Sequence, residues 1–229
     1  MASNTSATEL PLFPLQAVLF PGGLLSLKVF EARYVDLVIT SLREQRSFGV
    51  VALRGSSDKR RAENGQHFET TGTVAELIDV DSGRAGVLQV RCRGTQRFVA
   101  ERSRQQADGL WLGETRAVPN DALRAPAPAL LEAVRGLASA TASLKGRGSE
   151  PFLTPHRFDD AGWVANRWCE ILPISTVAKQ KLMELPDPIV RLQLVDDFLR
   201  SRGDVKYGFS SAAACAAAQA NRRRARLPA

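Results

Sequence analysis

Residues that could catalyse a reaction or bind a metal are few in this sequence of 229 residues. The two histidines, His67 and His156, lie in different halves of the chain. The three cysteines are too far apart to form a C-x-x-C pair: Cys92, Cys169 and Cys215. Because metal sites and disulfide frameworks need several such groups at short spacing, we expect no metal, no cofactor and a reducing compartment.

Sequence motifs of common enzyme classes are also missing. The chain contains no G-x-S-x-G, no H-E-x-x-H and no G-x-x-x-x-G-K-[ST] pattern. Asp79 and Asp81 form a D-x-D pair, but a calcium loop starting there would need Gly and Glu where Arg84 and Val90 stand. The sequence also contains no set of residues that would suit an enzyme acting on a small acidic substrate. We therefore expect a protein that is not an enzyme.

An arginine-rich stretch between residues 91 and 104 has a recognisable binding chemistry. Only Glu101 opposes its charge, and Phe98 and Trp111 lie close enough in sequence to stack on bases. We expect Gly94 to interrupt the strand that would otherwise align part of the stretch on one face. The sequence thus allows RNA or DNA binding, with a solvated sheet face as the alternative, through Arg91, Arg93, Arg97, Arg102 and Arg104.

The net charge of +7 is concentrated at the C-terminus. Residues 201–229 hold six basic side chains and one acidic side chain, whereas the other 200 residues hold 25 basic and 23 acidic ones. We interpret residues 204–229 as an Ala/Arg-rich basic tail. Such a tail either adds affinity for a polyanion or is simply a solvated terminus.

The elements that would position these residues fall into two parts. Residues 1–118 predict about six strands and one helix, and the consecutive strands without intervening helices indicate antiparallel pairing in a compact open barrel. Residues 119–203 predict a helical bundle, in which Asp187 and Pro188 open the last helix. The expected fold class is α+β, with a mainly antiparallel β-barrel that carries one helix and is followed by an α-helical bundle.

Targeting and membrane segments are not apparent. The N-terminus lacks a basic region followed by an apolar run, and no run approaches the roughly 18 apolar residues that a membrane helix needs. We expect a soluble cytoplasmic protein.

Three segments occur in an order typical of a known family. The first, ELPLFPLQAVLFPGGLLSLKVFEARYVDLV, contains L-P-L-F-P-L, V-L-F-P-G and L-x-V-F-E-x-R-Y. The second is TGTVAELIDVDSGRAGVLQVRCRGTQRF and the third is ILPISTVAKQKLMELPDPIVRLQLVDDFL. Together they resemble the Lon N-terminal, or substrate-binding, domain family. The resemblance implies a barrel of the PUA-like kind followed by helices.

The resemblance also implies a function. In full Lon proteases this region precedes an ATPase module and a Ser-Lys protease module, for which 229 residues leave no room. We therefore expect a free-standing module that binds unfolded or partly folded polypeptides, or a proteolysis partner, and does not catalyse a reaction. Nucleic-acid binding is the alternative.

Candidate peptide-binding residues are the apolar side chains of the first segment: Leu12, Phe13, Phe20, Phe30 and Tyr34. Core packing is the alternative role for these side chains. In either case we expect Pro11, Pro14 and Pro21 to stiffen a stretch that does not pair in a sheet.

Overall fold

The structure is a computed structural model that describes residues 8–54, 66–84 and 86–201. These residues form two compact units that divide between Asn120 and Asp121. We call them the β unit (residues 8–120) and the helical unit (residues 121–201). The predicted α+β class, with mainly antiparallel strands and one helix before a helical C-terminal part, is confirmed. The predicted basic tail lies outside the described residues.

The β unit contains six strands and one helix among its described residues. They are β1 (Thr8–Leu15), β2 (Leu24–Val29), α1 (Ala32–Glu44), β3 (Phe48–Leu53), β4 (Phe68–Arg84), β5 (Val87–Gln105) and β6 (Trp111–Ala117).

The strand pairings of the β unit form a closed circuit. Going round it, β1 pairs with β3, β3 with β4, β4 with β5, β5 with β6, and β6 with β1. All of these pairs are antiparallel except β1 with β3. Strand β2 lies outside the circuit and pairs with the first part of β5. The length of β5 is what allows one strand to pair with three others.

The first segment differs from its prediction, because residues 8–15 do pair in the sheet. Strand β1 pairs with β6 over residues 8–12 and with β3 over residues 12–15. Pro11 and Pro14 therefore each lie where only one side of the strand has a neighbour. A proline has no N–H, and it is tolerated where that missing donor faces away from the pairing strand.

Gly94 also differs from its prediction, since β5 continues through it. The ladder with β4 shifts register between Thr73 and Ala75, next to this glycine. On the other side, Gly94 N–H donates to Gly23 O (2.9 Å) and Gly22 N–H donates to Gly94 O (2.8 Å). A Cβ at residue 94 would overlap the carbonyl oxygen of Phe20. The glycine is therefore a point of close backbone approach and not a strand end.

Helix α1 packs against the core of the β unit by one face. Tyr34, Leu37 and Val38 are buried in the same cluster as the apolar side chains of β2. The Tyr34 ring stacks on Phe13 with ring centroids 4.1 Å apart. The helix ends at Gln45, which adopts the left-handed conformation that commonly terminates helices.

The helical unit has a short 3-10 turn, Pro128–Leu130, and four helices among its described residues. They are α2 (Leu131–Gly146), α3 (Ala161–Ile171), α4 (Thr176–Glu184) and α5 (Pro188–Ser201). The side chains of Asp160 and Ser175 cap α3 and α4. Asp187 accepts a hydrogen bond from Ile189 N–H at the start of α5, as the sequence predicts.

A buried arginine connects the elements of the helical unit. Arg191 of α5 is almost fully buried, and its guanidinium donates to Asp121 (2.6 Å) and Asn166 (3.0 Å). It also donates to the carbonyl oxygens of Leu182 (2.8 Å) and Leu185. Because the loss of one partner would leave a buried charge uncompensated, this network fixes how the chain before α2 and the turn before α5 meet.

Across the described ranges, no helix is long and apolar enough to cross a membrane.

The close approach at Gly94 generates a stability prediction. Gly94→Ala places a methyl group against the Phe20 carbonyl, so we expect the free energy of unfolding to fall by at least about 2 kcal/mol. Urea denaturation followed by circular dichroism measures it. Gly146→Ala is the control, because nothing lies near its Cβ position; it should stabilise α2 by up to about 1 kcal/mol. Equal effects of the two substitutions would contradict the account.

Candidate polypeptide-binding surface

Four of the five candidate peptide-binding residues lie in the core. Leu12, Phe13, Phe20 and Tyr34 are all less than 5% exposed. In this conformation they have no surface to offer a peptide, and their role is the packing that the sequence analysis held as the alternative. Phe30 differs, because it is 53% exposed.

Phe30 is adjacent in sequence to an apolar flank of α1. Val35, Ile39 and Leu42 recur at i, i+4 and i+7, so they lie on one side of the helix, beside the face that packs on the core. Val35 is partly buried, whereas Ile39 is 42% and Leu42 is 58% exposed. We call Phe30, Val35, Ile39 and Leu42 the α1 apolar surface.

The start of α1 explains why Phe30 belongs to this surface. Glu31 is the N-cap of α1, so Phe30 and Val35 occupy the N′ and N4 positions, where apolar residues commonly pack on each other as a hydrophobic staple. Strand β2 ends at Val29, which pairs with Leu88 of β5. The apolar surface therefore begins where β2 ends and continues along the helix.

Charged residues fix the same helix start. Arg33 forms an ion pair with Glu31 (2.5 Å) and lies over the Tyr34 ring, 5.2 Å from its centroid. Burial raises the pKa of the Tyr34 hydroxyl above its ordinary value. Tyr34, which stacks on Phe13, therefore holds the helix on the β unit, and Ile39 and Leu42 face outward.

The five arginines of the nucleic-acid alternative do not form one free cationic face. Arg97 is buried and donates to the Pro119 carbonyl oxygen (3.4 Å). Two others are exposed but neutralised, since Arg93 pairs with Glu76 (2.6 Å) and Arg104 pairs with Glu9 (2.9 Å).

The remaining two members of that set, Arg91 and Arg102, are exposed and form no ion pair with a residue that the structure describes. Two separated cations are a weak basis for phosphate-backbone binding, which needs several neutralised phosphates to reach useful affinity. The geometry of this arginine set does not favour the nucleic-acid alternative; the basic tail, which the alternative also invoked, lies outside the described residues.

The candidate chemical residues that the structure describes are not brought together. Burial raises the pKa of Cys92 and of Cys169 to about 12, so neither thiol is an activated nucleophile. His156 packs on Phe158 and Trp163 in the helical unit, whereas His67 directly precedes β4 in the β unit. No group of three His, Cys, Asp or Glu residues within the described ranges is arranged to hold a metal ion.

The family is decided by a match along most of the chain. The family model described as the ATP-dependent protease La (LON) substrate-binding domain matches residues 9–201. The chain belongs to this family. The three sequence segments that suggested it all lie within the matched residues, so the resemblance is confirmed.

Solved structures of Lon N-terminal domains share the fold. The Lon N-terminal domain protein from Xanthomonas campestris is 34% identical, with a TM-score of 0.61 over 82% of this chain and 96% of that chain. The N-terminal domain of the Mycobacterium avium complex Lon protease is 16% identical, with a TM-score of 0.57 over 83% of this chain and 97% of that chain. At that identity the second comparison shows the fold alone.

Curated relatives outside the proteases match over a shorter region. Cereblon from Xenopus tropicalis is 29% identical over 128 residues, which are 56% of this chain and 28% of cereblon. Cereblon from Gallus gallus is 28% identical over 133 residues, again 28% of its length. The matched region thus spans less than a third of these relatives.

One buried acid in the helical unit generates a pH prediction. Glu170 of α3 forms an ion pair with Arg167 (2.5 Å), and Lys179 donates to the Glu170 carbonyl oxygen. Burial raises the pKa of the Glu170 carboxyl to about 7, and the pull of Arg167 and Lys179 toward the ionised form only partly opposes it. The folded protein therefore holds a proton that the unfolded chain has already lost between about pH 4.5 and pH 7.

Stability should accordingly fall as pH rises through this window and level off above it. The loss attributable to Glu170 is on the order of 3 kcal/mol over the full window. Urea denaturation of wild type and Glu170→Gln at pH 5, 6, 7 and 8 measures it. Because glutamine mimics the protonated carboxyl, we expect the variant to be about as stable as wild type at pH 5 and to have a shallower pH dependence. Identical slopes for the two proteins would show that Glu170 does not titrate in this range.

Proposed function

We propose that this protein binds exposed apolar segments of unfolded or partly folded polypeptides, without catalysing a reaction on them, in connection with proteolysis. The observation that carries the proposal is the α1 apolar surface in a member of a substrate-binding domain family. An unfolded chain differs from a native protein by its exposed apolar side chains, and an exposed apolar surface beside a rigid core is what recognises them.

Other features of the described residues support binding over catalysis. The described cysteines are inert by burial, and the charged side chains form mostly exposed ion pairs. The free, buried state of Cys92 and Cys169 also suits a reducing compartment, and we place the protein in the cytoplasm. A folded partner of the proteolysis machinery that presents an apolar helix or loop is the second kind of ligand this surface would accept.

Substitutions on α1 test the proposal. Ile39→Ser combined with Leu42→Ser removes two exposed apolar side chains, each worth about 1 kcal/mol or more of apolar contact when covered. We therefore expect the affinity for reduced, carboxymethylated lactalbumin, a permanently unfolded polypeptide, to fall at least about tenfold. Phe30→Ser should weaken binding in the same direction. Fluorescence anisotropy of the labelled polypeptide measures each Kd.

The chain offers a matched control in the other unit. Val190 and Leu194 are 45% and 47% exposed on α5, close to the values for the α1 pair. Val190→Ser with Leu194→Ser should leave the affinity unchanged. An equal loss in both double variants would mean that binding follows general surface apolarity. No binding by wild type at high micromolar concentration would refute the proposed function.

A further inference from the structure

Strand β2 has one edge along which no other described strand pairs. It pairs with β5 alone, and the structure describes no other strand beside it. The ladder with β5 runs for six residues, from Leu24 opposite Arg93 to Val29 opposite Leu88, without a register shift. A regular strand with one free edge is a template on which a further strand can pair.

The hydrogen-bond pattern shows which backbone groups face outward. Gly94 N–H donates to Gly23 O, which makes Leu24 and Arg93 a non-hydrogen-bonded pair. Because such pairs alternate, Leu25, Leu27 and Val29 bond to β5, and the N–H and C=O groups of Leu24, Ser26 and Lys28 point to the free edge. These three residues have no hydrogen bond with any described residue across that edge.

The other free edge near this site is unsuited to pairing. Beyond Ala75, the last residue opposite β3, the outer edge of β4 has no neighbouring strand among the described residues. Along that part the ladder with β5 shifts register twice, and Glu76, Asp79 and Asp81 add acidic side chains. Bulges and charges of this kind blunt an edge. The β2 edge has no bulge in its ladder with β5, and Lys28 is the one charged residue of β2.

The side chains around the β2 edge indicate what kind of strand it accepts. Lys28 is exposed on β2 itself, and Arg91 lies one strand further in, opposite Ser26; neither forms an ion pair with a described residue. The acidic residues of β4 are one strand further away. With strands about 4.8 Å apart, an added strand meets the cations first, so acidic side chains are favoured on that face. Phe30, at the end of β2, offers an apolar contact.

We propose that the free edge of β2 binds the substrate polypeptide as an added β-strand. The occupant is an extended segment that pairs its backbone with Leu24, Ser26 and Lys28 and presents acidic and apolar side chains to Lys28 and Phe30. This inference rests on the proposed function and deepens it. Backbone pairing supplies affinity that depends little on sequence, and the α1 apolar surface adds preference for apolar segments.

A proline at residue 26 tests the added strand. Ser26→Pro removes an outward N–H and leaves every hydrogen bond to β5 intact, because this position does not bond to β5. Ser26→Ala is the matched control, since it keeps the N–H. With carboxymethylated lactalbumin as the probe, we expect Ser26→Pro to bind at least tenfold more weakly than Ser26→Ala.

Amide hydrogen exchange of the wild-type protein gives an independent readout that needs no substitution. Saturation with the probe should slow exchange of the Ser26 and Lys28 amides at least tenfold and leave the already bonded Leu25 and Leu27 amides unchanged. Unchanged exchange at Ser26 and Lys28, or equal affinity of the two Ser26 variants, overturns the added strand while polypeptide binding stands. No binding by wild type overturns both.

Discussion

The backbone contact between Gly94 and the segment that ends at Gly23 is the constraint on which the β unit depends. Two hydrogen bonds join Gly94 to Gly22 and Gly23. Thr73 adds a third anchor to this segment by donating from its hydroxyl to the Leu19 carbonyl oxygen at 2.6 Å. These bonds need a backbone approach that only glycine permits at residue 94. The V-L-F-P-G motif ends at Gly22, and Gly94 lies 72 residues later in the sequence. The two segments thus form the two sides of one backbone contact.

This contact also places the candidate binding surface. Since Gly23 is fixed on Gly94, β2 must begin at Leu24 and follow β5 in a single register. That register sets where β2 ends, and therefore where Phe30 stands and where α1 starts. Tyr34 then anchors the helix by stacking on Phe13, and the flank that carries Ile39 and Leu42 remains exposed. The free edge of β2 and the α1 apolar surface are therefore neighbours along one continuous piece of chain.

The sequence was informative about the fold and much less so about the surface. Periodicity and cap residues predicted one helix in the β unit and the start of the last helix at Asp187, because those signals are local. Strand β1 was not predicted, because prolines argue against pairing in a sheet. Only the structure shows that each proline of β1 has a neighbouring strand on one side alone. The continuity of β5 through Gly94 was missed for a similar reason, since the partner of that glycine is distant in sequence.

The site residues show the same limit. The aromatic residues of the first segment resemble a binding surface in sequence, but burial depends on tertiary packing, which left only Phe30 exposed. The signal that does report the surface is the i, i+4, i+7 spacing of Val35, Ile39 and Leu42, an apolar flank beyond the face that α1 needs for its core. Arg97 was a candidate nucleic-acid-binding residue because of its charge, but the structure buries its side chain.

Site-specific photo-crosslinking tests the central claim most directly. With benzoylphenylalanine in place of Leu42, the protein should crosslink to carboxymethylated lactalbumin and not to the same protein in its native, disulfide-bonded form. With the crosslinker in place of Leu194 on α5, neither form should be captured. Equal capture at the two positions, or equal capture of the native and unfolded forms at residue 42, would contradict the account.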